Sequence, residues 1–174
     1  IAVNLCLFIS VNYYLFDGTI FLVDEIGKSG FTIPYLDGSL SISRASRTYP
    51  QFLIFKPSMI ITACLLYFYW KKNNLLINKF NNISNKNYYF KTFGILSAIF
   101  LAVHSILLGV EIDIKIFKLL RRIVLLSFII FEIVAQGLLV YNFYKLKSKI
   151  KNLYDSKILN IKILLVFILF LIAI

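Results

Sequence analysis

His104, Glu132 and Gln136 are the polar side chains set deepest within otherwise apolar stretches of this chain. An ionisable group in such a run is costly to bury unless it is paired, so it marks a candidate proton relay or a site for a polar part of a substrate. Glu132 and Gln136 are one helical turn apart and share a face. Counted from the helix ends expected outside, His104 lies about 9 Å deep and Glu132 about 13 Å deep at 1.5 Å per residue. Helices packed side by side would bring this intramembrane polar pair together. A charged His–Glu pair, or one sharing a proton, would relieve the cost of burying either alone. The plainer reading is that each group satisfies the other or a serine without doing chemistry.

A second set lies in a polar stretch. Ser39, Ser41 and Ser43 offer hydroxyl donors and acceptors, and Arg44 and Arg47 carry planar guanidinium forks suited to a lipid phosphate. These five residues form the candidate lipid-binding set, against the alternative of a solvated loop whose charges keep it outside. A serine here with His104 would be the one nucleophile and base for a membrane-embedded lipid-modifying enzyme, but no motif fixes that geometry. The expectation is therefore a non-enzymatic protein. Cys6 and Cys64 have no partner at metal-ligand spacing, and read as small buried apolar side chains. One His and the single Met59 do not supply a haem's axial ligands, and no glycine-rich phosphate loop occurs. Neither metal nor cofactor is expected.

The elements that must position these groups are long apolar segments. Residues 51–70, 92–110 and 123–144 are each long enough as helices to cross a hydrocarbon core of about 30 Å. Apolar runs 1–16 and 163–174 flank them, and both read as cut by the chain ends. Backbone polar groups in hydrocarbon must be paired internally, and continuous apolar runs lack the alternation of a barrel strand. The fold class is thus all-α, a polytopic transmembrane helix bundle. It is read as one transmembrane domain over 1–174, with parts of five helices, truncated at both ends, and an outer loop at 17–50. The apolar share of 60% and mean hydropathy of +0.83 agree.

A net charge of +11 does not point to nucleic acid, because the basic residues sit in connections between apolar helices. Segments 71–91 and 145–162 hold eleven Lys residues, against seven Lys and Arg in the alternate connections. The positive-inside bias puts those two segments and the N-terminus in the cytoplasm, within a plasma or inner membrane. Tyr69 and Trp70 before Lys71 and Lys72, and Tyr88 and Tyr89 beside Lys91, read as aromatic and basic collars at headgroup level. Ile114 to Arg122 reads as an interfacial lead-in. Gly94, Ala98, Ala102, Ser105 and Gly109 form a small-residue stripe that would admit a partner helix. Pro57, after Lys56, can kink the second helix.

The stretch from Ile33 to Pro50 carries a proline, an aromatic and an S-x-S pattern ahead of a second proline and a helix. The residues are Pro34, Tyr35, Ser39, Ser41, Ile42, Ser43 and Pro50. In this order the chain resembles the first extracytoplasmic loop of the Frag1/DRAM/Sfk1 family of multispanning proteins. The resemblance covers roughly the first 70 residues and, more loosely, the later helices. It implies six helices in a complete protein and lipid-related roles: remodelling of glycolipid anchors, control of phospholipid distribution, or modulation of autophagy. Arg44 and Arg47 depart from the family's more neutral loop. A proton-coupled small-solute transporter using His104 and Glu132 is the alternative function.

Overall fold

The computed structural model describes residues 1–21, 32–38, 40–82, 86–108, 115–147 and 156–173. Ser39 and Gly109 therefore lie outside the described residues. Among those described, every regular element is helical. The elements are α1 (Ala2–Val11), a 3₁₀ turn (Tyr13–Phe16), α2 (Pro34–Asp37), α3 (Ile42–Ala45), α4 (Gln51–Asn81), α5 (Tyr89–Leu107), α6 (Lys115–Lys145) and α7 (Ser156–Ala173). Of these, α4, α5 and α6 are long and apolar enough to cross a membrane. The chain packs as two compact units, residues 1–61 with 105–114, and residues 62–104 with 115–174.

Several helix bounds differ from the apolar runs, for local reasons. The first run does not stay α-helical to Phe16. Asn12 ends α1 by donating from both its backbone and its side-chain nitrogen to Phe8 O, at 3.0 and 2.9 Å. Beyond Trp70, α4 continues to Asn81 because the sequence becomes amphipathic. Asn74, Ile77, Asn78 and Asn81 share one face at helical spacing, while Lys71, Lys72 and Lys79 are exposed. Asn82 then stops the helix in the left-handed region at φ 54°, which asparagine tolerates. At 31 residues, α4 is roughly 46 Å long, more than one hydrocarbon thickness.

The basic lead-in before residue 123 is not a separate element but the first turns of α6. Lys115, Lys118, Arg121 and Arg122 recur every three or four residues, a helical period, and Arg121 lies 5.5 Å from the Phe117 ring centre. Likewise α7 begins at Ser156, within the expected basic connection. Lys162 Nζ donates to Tyr69 Oη at 3.0 Å and sits near the rings of Tyr69 and Phe143.

The first unit has two small apolar cores. Cys6, Phe55 and Leu108 form one, and Leu7, Val11, Leu40 and Ala45 the other. The second core sets α3 against α1, and Tyr35 Oη donates to Asn4 Oδ1 at 2.6 Å to tie down α2. Cys6 matches its buried expectation, whereas Cys64 is exposed. Pro57 lies inside α4, where its ring nitrogen has no proton to give Leu53 O. Nearby hydroxyls reinforce this turn: Ser58 Oγ donates to Ile54 O at 2.7 Å and Ser105 Oγ to Lys56 O at 3.2 Å.

The second unit is built around Trp70, with Ile77, Phe90, Ala135, Leu139, Phe143, Leu146 and Leu159. Trp70 is fully buried, so it is a core residue rather than a headgroup anchor. Its indole lies flat against Gly94, and a Cβ there would fall inside the ring's van der Waals envelope. The first residue of the small-residue stripe thus serves contact between α4 and α5. Replacing Gly94 by Ala should cost about 1–3 kcal/mol through overpacking. Combining it with Trp70→Leu should recover part of that loss, as read by thermal unfolding in detergent. A Gly94→Ala protein as stable as the wild type would rule out this close approach.

Candidate functional site

The candidate site grows from the register between α5 and α6. Phe131 on α6 stacks on Phe93 and on Phe100, with ring centres 5.9 and 5.4 Å away. Those two α5 residues are seven apart, two helical turns, and Ser97 falls midway between them on the chain. The aromatic clamp therefore brings Glu132, the next residue of α6, to Ser97.

Ser97 Oγ lies 2.6 Å from Glu132 Oε2 and 2.8 Å from Gly94 O. Gln136 Nε2 donates to Glu132 Oε1 at 2.8 Å. Ser97 is fully buried, while Glu132 and Gln136 are half-buried. The serine hydroxyl has one proton and faces two acceptors. Ser97 thus ties the carboxyl of α6 to the backbone of α5.

Glu132 and Gln136 meet as their one-turn spacing implied. Among the described residues, the partners of the carboxyl are Ser97 and Gln136, not His104. Ser97 precedes His104 by seven residues, about 10 Å along the helix at 1.5 Å per residue. His104 Nδ1 is buried without a hydrogen-bond partner among the described residues, and Arg121 is its charged neighbour. Ser97 was missed by sequence reasoning. Its pairing depends on the register of α5 against α6, which no local spacing signals.

In the candidate lipid-binding set, Ser41 caps α3 by accepting from Arg44 N at 3.3 Å. Arg47 Nε donates to Ser43 O at 2.7 Å, which leaves the outer edge of its guanidinium available. Ser41, Ser43, Arg44 and Arg47 are all exposed. In the stripe, Ala98 is buried, Ala102 half-buried, and Ser105 buried with its bond to Lys56 O.

Sequence reasoning also passed over an asparagine latch. Asn74 and Asn78 donate to Lys86 O at 3.2 and 2.9 Å, and Asn81 donates to Tyr88 Oη at 2.9 Å. Asn74 Oδ1 accepts from Tyr88 N at 3.2 Å. Their spacing on one helical face was the signal, hidden by the heavy overall use of asparagine. Among the described residues no cluster of His, Cys, Asp and Glu could hold a metal ion. No family model, curated protein or solved structure matches this chain.

Removing the carboxyl should leave Gln136 Nε2 without its partner and Ser97 with Gly94 O alone. A double-mutant cycle on Ser97→Ala and Glu132→Ala is expected to give a coupling of about 0.5–2 kcal/mol by unfolding in detergent. Glu132→Gln should lose less than Glu132→Ala, because the amide still bonds Ser97. Additive single effects would show that the contact carries no stability.

Proposed function

We propose that this is an integral membrane protein of Frag1/DRAM/Sfk1-like type, without catalysis of its own, that engages or organises lipids through the turn carrying Ser41, Ser43, Arg44 and Arg47. The observation that carries this reading is the anchoring of that turn. Buried Leu40 and Ala45 pack on Leu7 and Val11, Ser41 caps α3, and Arg44 and Arg47 stand exposed on the supported surface. A guanidinium pair on a fixed base loses less entropy on meeting phosphate than one on a free loop.

Membrane integration is supported by the three long apolar helices and by what they expose. Ile61, Leu65 and Phe68 on α4, and Leu126 and Ile130 on α6, are large apolar side chains open to their surroundings. Rows of this kind suit hydrocarbon and are unusual on a surface in water. The proposed orientation keeps 71–91, 145–162 and the N-terminus in the cytoplasm, in a plasma or inner membrane, following the basic residues.

In reconstituted vesicles, Arg44→Ala/Arg47→Ala should weaken binding of soluble short-chain anionic phospholipid about fivefold or more, as measured by calorimetry. Undiminished binding would remove the turn from the proposal. A second reading, a proton-coupled carrier of a small solute, is favoured by the Ser97–Glu132–Gln136 network alone. It requires that Glu132→Gln abolish proton-driven uptake into vesicles. Uptake equal to the wild type would eliminate that reading.

A further inference from the structure

The second unit contains a cleft of about 510 Å³, bounded by the end of α4, the segment leading into α5, and the end of α6. Lys86 and Lys145 line it, together with Tyr88 and Tyr141, while Phe90 and Leu146 give it a buried apolar floor. Each lysine is held over an aromatic ring: Lys86 Nζ lies 5.5 Å from the Tyr88 centre and Lys145 Nζ 4.6 Å from the Tyr141 centre. Both side chains are exposed. Among the described residues of this unit the sole carboxyl is Glu132, whose oxygens are already paired with Ser97 and Gln136. Among the described residues, two ammonium groups therefore line one cleft with ring faces, and no carboxylate, as their partners.

We infer that this cleft binds the phosphate headgroup of an anionic phospholipid, with Lys86 and Lys145 as its cationic contacts and its accessible apolar lining, Leu138 and Tyr141, against the upper part of the acyl chains. A free phosphate shares the headgroup chemistry but has no use for the apolar floor. The wall that carries Lys86 is fixed from behind, because Asn74 and Asn78 both hold the Lys86 carbonyl. Its lysine therefore projects from an anchored backbone, not from a loose loop. The inference rests on membrane integration as proposed above, but not on the Arg44 and Arg47 turn.

The test uses Trp70, the one tryptophan of the chain, whose ring centre lies 6.2 Å from that of Phe90 in the cleft floor. The full chain is reconstituted into phosphatidylcholine vesicles. Dilute phosphatidylglycerol or phosphatidylcholine, brominated high in the acyl chains, is then added. The brominated anionic lipid should quench Trp70 more strongly than the brominated zwitterionic one. Lys86→Gln/Lys145→Gln should reduce that preference about fivefold or more, in line with the attraction of one or two lysines near a lipid surface. Lys86→Arg/Lys145→Arg should retain it and so report that the fold survives substitution there. Lys71→Gln/Lys72→Gln removes the same charge outside the cleft and should also retain it, as should Arg44→Ala/Arg47→Ala. Equal quenching by the two lipids in the wild type would overturn the proposal, as would equal loss of preference in the Lys71 and Lys72 variant. Loss of the preference on adding inorganic phosphate at matched ionic strength would reassign the cleft to a free oxyanion.

Discussion

Helices surrounded by hydrocarbon gain little from hiding apolar side chains against each other, because lipid is as apolar as leucine. Close approach and hydrogen bonds must do what water does for a soluble core. In the second unit that close approach is Trp70 on Gly94. A flat indole on a residue with no side chain maximises dispersion contacts, each individually near 0.1–0.2 kcal/mol but numerous for a ring this large. With α4 and α5 set by this contact, Phe90 completes the floor beneath Trp70, and Ser97 comes one turn along from Gly94. The carboxyl site and the Lys86 cleft thus both depend on a glycine that carries no chemistry.

The polar side chains of the second unit act mainly to fix backbone. Asn74 and Asn78 share one carbonyl, and Asn74 returns a bond to Tyr88 N, so the segment before α5 is held through its main chain. In the first unit the side-chain amide of Gln51 lies 3.0 Å from Ser10 Oγ, and both residues are fully buried. The buried amide nitrogens of Asn74 and Asn78 are tolerated because their hydrogen bonds are made, and an unmade one would cost about 1–3 kcal/mol. Such bonds restrict which way two helices can meet, something dispersion alone does poorly.

What the sequence made legible follows from which physical signal was continuous. The apolar runs within α4, α5 and α6 were plain because length and hydropathy alone identify them. Their extensions were obscure because Lys71–Asn81 and Lys115–Arg122 read as polar connections until their helical period is taken into account. Trp70 looked like an interfacial anchor because it stands before two lysines, and only the close approach of Gly94 shows it to be core. The one-turn spacing of Glu132 and Gln136 was readable, being local. The pairing of Glu132 with Ser97 was not, since it depends on the Phe93, Phe131 and Phe100 stacking that fixes the register of two helices. Composition misled most at asparagine: a residue used so often invites discount, yet three of them form the latch.

The distribution of charge gives the remaining constraint. The single described carboxyl of the second unit is spent inside its helices, while the exposed lysines cluster at their ends. Exposed lysines around one cleft repel one another, and among the described residues no carboxylate of this unit stands beside them. Ring faces offset part of this repulsion at Lys86 and Lys145, by about 0.5–1 kcal/mol each when exposed. In the proposed lipid-bound form, anionic headgroups would supply the opposite charge. On the proposed reading, orientation of the helices and recognition of a headgroup would have one electrostatic origin in the same lysines.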